Sequence, residues 1–173
     1  MSQTVAQQLY VAYFGRPADF FGIRNFATEI QRLLPNATDI RDLALAIQNK
    51  HAGVLALVNQ FGTSQESIDL YGTGNTAGFV NAVYRNVLDR DADLPGLTFW
   101  VGELDAGNIS RASFSAVLMA AAINNTQSAA DQTVVANKIA VAQLFTSALD
   151  TNAEIQAYAG NAAASAARGR RAR

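Results

Sequence analysis

The 173-residue sequence predicts an all-α fold, a multi-helix array in which one helix-loop-helix motif is internally duplicated. Apolar residues recur at helical spacing along almost the whole chain, which leaves little room for strands. Residues that favour helix starts stand where this spacing changes. One pattern of aromatic, charged and glycine residues also occurs in both halves of the chain.

Five helices are expected before residue 75. They cover residues 4–14, a segment ending before Pro35, a segment capped by Thr38 or Asp39, residues 54–61 and a short segment through Tyr71. Proline ends the second helix because it has no N–H donor and disfavours helix in the preceding residue. Thr63 and Glu66 have the spacing of a capping box, which predicts that the fifth helix begins there.

Glycine and polar residues from Gly72 to Asn75 break the helical pattern, so we divide the chain into halves at 1–74 and 75–167. The expected helices of the second half cover residues 76–88, 95–105, 111–124, 128–149 and 152–166. Ser110 caps the third of them, and Thr151 with Glu154 fits a capping box. The long fourth helix carries a stripe at core spacing: Val135, Ile139, Ala142, Phe145 and Leu149.

Composition excludes several classes of protein. Four of the 13 basic residues lie in an Arg-rich tail at 168–173, predicted to be disordered, and the rest of the chain is acidic. Such a chain lacks the dense basic face that duplex nucleic acid requires. It has no cysteine for disulfides or thiolate metal sites. No cleavable signal peptide is visible at the start, and the longest apolar run, 112–123, is too short for a transmembrane segment.

The repeated pattern occurs at positions 74 residues apart. It consists of a tyrosine, an arginine, an aspartate, a glycine and an aromatic residue in the same order and spacing. Its members are Tyr10, Arg16, Asp19, Gly22 and Phe26 in the first copy, and Tyr84, Arg90, Asp93, Gly96 and Trp100 in the second.

Each member has a structural role in a corner between two helices. The tyrosine packs its ring near a helix end while its hydroxyl finds a partner. The arginine follows the helix C-terminus, where it can bond the last carbonyls or pair with the aspartate across the loop. The aspartate caps the next helix, and the glycine lets the two helices approach closely. Capping and packing therefore explain the motif without a ligand.

The second copy, residues 79–104, resembles a helical domain of unknown function that recurs in RTX-type secreted proteins and Gram-negative S-layer proteins. The matching segment reads FVNAVYRNVLDRDADLPGLTFWVGEL, with Asp89 where the family usually has glycine. The first copy keeps Gly15 and Arg16 but has Asn25-Phe26 where an aromatic pair with tryptophan is common.

The resemblance implies a protein secreted by type I machinery through an uncleaved C-terminal signal and held at the cell surface. Because the chain starts at Met1, it looks like a non-catalytic N-terminal anchoring domain that binds lipopolysaccharide O-antigen. Two alternatives remain open. One is a self-assembly module of a surface lattice, and the other is a linker scaffold, since phycobilisome linkers have a loosely similar helix around Tyr84 to Leu88.

Calcium is prominent in the proteins that the chain resembles, and Asp89, Asp91 and Asp93 have the spacing that opens an EF-hand loop. Leu94 stands where that loop needs glycine, and Trp100 where it needs glutamate. Capping and pairing with Arg90 is the alternative role of the three aspartates. No other metal site or cofactor is expected.

We expect no enzymatic activity, because the single histidine, His51, has no catalytic partner and no nucleophile elbow occurs. Sugar sites usually combine aromatic faces with planar polar groups. The candidate glycan-binding residues are therefore Tyr71, Arg85, Arg90 and Asn108, if their side chains reach the surface.

Overall fold

A computed structural model describes residues 2–160 and residue 163. It contains ten α-helices, and no strand occurs within the described ranges. The helices are α1 (Ser2–Phe14), α2 (Phe20–Leu33), α3 (Ile40–Gln48), α4 (Ala52–Gly62), α5 (Gln65–Tyr71), α6 (Thr76–Leu88), α7 (Leu94–Asp105), α8 (Arg111–Asn124), α9 (Ala129–Ser147) and α10 (Asn152–Ala157). The prediction of an all-α fold is confirmed.

Helix α1 lies at the centre of the array. Every residue from Val5 to Phe14 is buried, so this helix is covered on all sides. It packs most extensively against α2 and also contacts α6, α8 and α9. The two halves that we divided at residue 74 therefore share one core, and each half contributes helices that cover α1.

Aromatic side chains fill the space between α1, α2 and α4. Phe61 of α4 lies within 5.5 Å, between ring centroids, of Tyr10, Phe14 and Phe26. On the other side of α4, Gly62 meets α8 so closely that an added Cβ would lie 2.4 Å from Ala112 Cα. This contact lets two helix backbones cross without an intervening side chain, and it joins the first half of the chain to the second.

The capping residues were predicted with mixed success. Asp39 caps α3, Ser110 caps α8, and Thr151 with Glu154 forms the expected capping box. The capping box predicted from Thr63 is wrong, because Ser64 is the N-cap of α5 and accepts from the backbone N–H of Ser67. Glu66 is then free to turn towards α1.

Two predicted boundaries in the second half are also wrong. Helix α9 ends at Ser147 instead of residue 149, and α10 ends at Ala157 instead of residue 166. Tyr158 is the C-cap of α10, and Gly160 has a positive φ of 50°, so the chain turns there. The Arg-rich tail at 168–173 lies outside the described residues. None of the helices described is both long and apolar enough to cross a membrane.

Candidate functional site

The two motif copies form two helical corners with the same local geometry. The first corner joins α1 to α2, and the second joins α6 to α7. In each, the aspartate caps the second helix by accepting from the glycine N–H at 2.8 Å, through Asp19 in the first and Asp93 in the second. The shared contacts follow from the shared sequence pattern. That the pattern arose by duplication stays a prediction.

In each corner, the residue that follows the first helix has left-handed backbone geometry. Gly15 has a φ of 62°, and Asp89, at the matching position, has a φ of 56°. Glycine adopts this conformation freely, whereas a side chain is strained in it. Asp89 is held there by Lys138, whose Nζ donates to Asp89 Oδ1 at 2.6 Å and to the carbonyl of Asn86 at 2.7 Å.

The tyrosine hydroxyl approaches the glycine in both corners. A Cβ added at Gly22 would lie 2.0 Å from the Tyr10 hydroxyl oxygen, and one at Gly96 would lie 3.1 Å from that of Tyr84. In the second corner the Tyr84 hydroxyl accepts from Trp100 Nε1 at 3.0 Å. Phe26 replaces this tryptophan in the first corner and has no N–H to donate. Burial raises the pKa of Tyr10 above its usual range, so its hydroxyl stays a neutral donor.

Both motif arginines pair with carboxylates outside the motif. Arg16 donates from Nε and a terminal nitrogen to Glu66 of α5 at 2.7 and 2.8 Å. Arg90 does the same to Asp131 of α9 at 2.8 and 2.7 Å. The predicted pairing of each arginine with the aspartate of its own loop is therefore wrong. Such two-point contacts fix the guanidinium plane, and each plane lies over the ring of the corner tyrosine.

The last carbonyls of α1 are bonded by residues other than Arg16. The Tyr71 hydroxyl donates to the carbonyl of Tyr13, and Asn86 Nδ2 donates to that of Ala12 at 2.8 Å. Arg16 bonds the carbonyl of Pro17 in the loop instead. Sequence reasoning could not find Glu66, Asp131 or Asn86 for these roles, because none of them belongs to the repeated pattern.

The first corner opens into a cavity of about 380 Å³, which we name the corner cavity. Its apolar wall contains the rings of Tyr10, Phe26 and Phe61. Its polar wall contains Arg16, Asp19 and Glu66 of the corner, together with Gln60 and Gln65. Aromatic rings and planar hydrogen-bonding groups therefore line one concave surface.

The four candidate glycan-binding residues do not meet at this cavity. Tyr71 is half-buried and bonded to α1, Arg85 pairs with Asp91, and Asn108 donates to Glu103 at 3.2 Å. Arg90 belongs to the second corner. Arg85, Arg90 and Asn108 are exposed, as the hypothesis requires. Their role in sugar binding stays a prediction.

The three aspartates considered for calcium have separate partners. Asp89 pairs with Lys138, Asp91 pairs with Arg85, and Asp93 caps α7. The alternative role of these aspartates is confirmed for capping, by Asp93, and is wrong for pairing, because Arg90 pairs with Asp131. In the part of the chain that the structure describes, no group of three metal-ligating side chains is close enough to hold an ion.

A second cavity, of about 390 Å³, lies where α1, α2 and α9 meet, and we name it the side cavity. It is lined by Gln7 of α1, Phe20 and Arg24 of α2, and Gln143 and Thr146 of α9, among others. The sequence contains one signal for it. Gln7 lies on the same face of α1 as Val11 and Phe14, and a polar side chain buried there needs a partner.

Comparison with known proteins gives one match. The family model of a domain of unknown function (DUF4214) matches residues 58–128. Neither a curated protein nor a solved structure matches the chain. The matched region runs from the end of α4 to the N-cap of α9 and contains the whole second corner together with Glu66. The first corner and the side cavity lie almost entirely outside it.

Proposed function

We propose that this chain is a non-catalytic anchoring domain that holds a secreted S-layer or RTX-type surface protein on the cell by binding lipopolysaccharide O-antigen. The corner cavity is the observation that carries the proposal. It combines four aromatic rings with the planar polar groups of Arg16, Gln60 and Gln65 in one concave surface. Its volume of about 380 Å³ lies in the range typical of ligand sites.

The two walls of the cavity match the two kinds of surface that a sugar ring has. The C–H face of a pyranose is apolar and packs against aromatic rings such as that of Phe26. Its hydroxyls both donate and accept, which suits the amides of Gln60 and Gln65. Arg16 and Glu66 are already paired with each other, and Gln65 Nε2 donates to Asp69 at 2.7 Å, which leaves the Gln60 amide and the Gln65 amide oxygen to bind the ligand.

Location at the cell surface rests on the sequence resemblance of residues 79–104. The matched family is one of unknown function and therefore adds no activity of its own. Type I secretion and a surface location are part of the same proposal.

Co-sedimentation with lipopolysaccharide tests the proposal. The folded chain is mixed with lipopolysaccharide from its host and with host lipopolysaccharide lacking O-antigen, each with and without calcium. We expect sedimentation only with O-antigen present. A calcium requirement in this assay would support a calcium site at Asp89, Asp91 and Asp93. No sedimentation of folded protein in any arm would overturn the proposal.

The variant Gln60→Ala locates the binding site. Gln60 is exposed and lines the corner cavity, and its neighbour Asn59 is exposed without lining it. Loss of one or two hydrogen bonds should weaken O-antigen binding about 2- to 10-fold. Asn59→Ala is the matched control and should bind like the parent. Equal binding by all three proteins would move the site away from this cavity.

One observation favours self-association as a second function. Helix α7 has no buried residue, and Leu94 and Phe99 are 75% and 57% exposed. Large apolar side chains exposed to this degree are typical of a surface that contacts another protein. A concentration-dependent dimer in sedimentation velocity that Phe99→Ser abolishes would support this alternative. A parent that stays monomeric at every concentration would exclude it.

A further inference from the structure

The side cavity contains a buried polar atom without a partner. Gln7 is 1% exposed, its Oε1 accepts from Thr146 Oγ1 at 3.0 Å, and its Nε2 has no hydrogen-bond partner among the described residues. Buried amide groups in folded proteins are nearly always satisfied. An unsatisfied amide at the wall of a cavity therefore indicates a ligand that bonds it.

Rotation of the Gln7 side-chain amide by 180° does not let Thr146 bond both of its polar atoms. Thr146 Oγ1 also lies 3.0 Å from the carbonyl of Ala18. A hydroxyl has a single proton, so Thr146 can donate to Ala18 or to Gln7, but not to both. If it donates to Ala18, Gln7 must turn to donate its Nε2 to Thr146, and its Oε1 then takes the position at which Nε2 has no partner among the described residues. Thr146 can therefore bond only one of the two polar atoms of Gln7 in either arrangement.

The charge of the lining restricts the chemistry of the ligand. Among the described residues of the lining, Arg24 is the one that is ionisable, and the remaining polar residues are amides and hydroxyls: Gln3, Thr4, Gln7, Gln143, Thr146 and Ser147. None of these described residues is a carboxylate, so they offer a metal ion or an amine no counter-charge. The ligand therefore has no net positive charge and carries several hydroxyl or carbonyl groups.

Arg24 is available to bind an anion. Its guanidinium lies over the ring of Phe20 at 5.4 Å from the centroid, and it forms no ion pair with any described residue. Stacking on the ring holds the guanidinium plane beside the cavity. A guanidinium held in this way binds a carboxylate through two parallel hydrogen bonds.

We propose that the side cavity binds a sugar unit that carries a carboxylate, a hexuronic acid residue. Arg24 binds the carboxylate, Gln7 and Thr146 bond ring hydroxyls, and Phe20 packs against the C–H face of the ring. The inference rests on the proposed function in that it takes the ligand to be a saccharide. It adds a second site, outside the corner cavity, that selects acidic sugars.

Four small probes test this chemistry by NMR titration of the ¹⁵N-labelled chain: glucuronate, glucose, glucosamine and acetate. We expect glucuronate to bind about tenfold more tightly than glucose, as a charge-assisted contact should give. Glucosamine should bind more weakly than glucose, and the Gln7 side-chain amide signal should shift. Acetate binding as tightly as glucuronate, or no shift of Gln7 with any probe, would overturn the proposal.

Two variants assign the contacts. Arg24→Gln should lower glucuronate affinity to that for glucose, while the matched control Arg32→Gln, on the same helix but outside the cavity, should keep it. Gln7→Met should abolish binding of both sugars without lowering the urea midpoint, because it removes a buried group that lacks a partner. A large loss of stability in Gln7→Met would instead indicate a structural role for Gln7.

The sedimentation assay separates this inference from the proposed function. A parent that sediments with O-antigen but binds no glucuronate would overturn the acidic-sugar site and leave the anchoring proposal standing. A parent that binds glucuronate through Arg24 and Gln7 but does not sediment would overturn the anchoring proposal and support the site alone.

Discussion

The two corners share a sequence pattern and a set of contacts but differ in their surroundings. In the first, the Arg16 side chain is 5% exposed and its partner Glu66 is 13% exposed. In the second, the Arg90 side chain is 41% exposed, whereas its partner Asp131 is 6% exposed, so only the arginine of this pair is open to water. The first corner is packed against the aromatic cluster around Phe61, whereas α7 of the second corner has no buried residue.

The motif therefore determines the local geometry of a corner, whereas the surrounding fold determines how much free energy each of its contacts contributes. The cap, the left-handed exit and the tyrosine over the glycine recur in both corners, because neighbouring residues determine them. The free energy that each contact contributes depends on whether water can replace it. Matched variants in the two corners should therefore give unequal effects.

Removal of the arginine should give the largest difference. Arg16→Met leaves the carboxylate of Glu66 without its partner in a site closed to water, which should lower the free energy of unfolding by about 3–5 kcal/mol. Arg90→Met should lower it by about 1–2 kcal/mol, because Arg90 is 41% exposed and its removal opens the buried Asp131 carboxylate to water. Urea denaturation followed by circular dichroism measures both. Equal losses would show that the free energy contributed by each pair does not depend on how exposed its arginine is.

Replacement of the glycine should give the next largest difference. Gly22→Ala pushes a methyl group against a Tyr10 ring that is held by Phe14, Phe26 and Phe61, and should lower stability by about 1–3 kcal/mol. Gly96→Ala meets the exposed Asp93 carboxylate and the Tyr84 hydroxyl less closely and should lower it by less than about 1 kcal/mol. Thermal unfolding of both variants checks this order, and the reverse order would contradict it.

The tryptophan of the second corner should matter less. Trp100→Phe makes this corner like the first and removes the hydrogen bond from Trp100 Nε1 to the Tyr84 hydroxyl. We expect a loss of about 1 kcal/mol, the typical contribution of one such bond. Denaturant titration of the variant tests this, with Phe99→Ala as a control on the same helix. An unchanged midpoint in Trp100→Phe would mean that water replaces the bond fully.

The smallest expected effect concerns acid stability. The hydrogen bond from Arg90 lowers the pKa of Asp131, so the folded state gains stability while this carboxylate is ionised. That contribution is present above the unfolded pKa of about 4 and is lost as the pH falls through the lower folded pKa. Asp131→Asn should be less stable than the parent at pH 7, and the two proteins should converge near pH 2. A constant difference across this range would contradict the assignment.

The sequence was sufficient for the helices but not for the contacts between distant ones. Apolar spacing and caps located every helix, since both are local properties, and errors were confined to boundaries such as the end of α10. The partners of Arg16 and Arg90 lie 50 and 41 residues away, in α5 and α9. Neither carboxylate lies at the repeat spacing, so no pattern pointed to it. The side cavity requires three packed helices, and Gln7 of α1 indicates only that a buried polar side chain needs a partner, not where a cavity forms.

The central position of α1 also constrains how the chain folds. The Tyr13 hydroxyl donates to the carbonyl of Ala112 across 99 residues, and Thr146 reaches Gln7 across 139 residues. Contacts of such sequence separation slow folding, because the intervening chain must be ordered before they form. Helix α1 precedes in the chain every helix that covers it, so its apolar surface stays uncovered until α9 has been synthesised. The residues of α1 therefore reach their final environment late, and they need protection from aggregation until then.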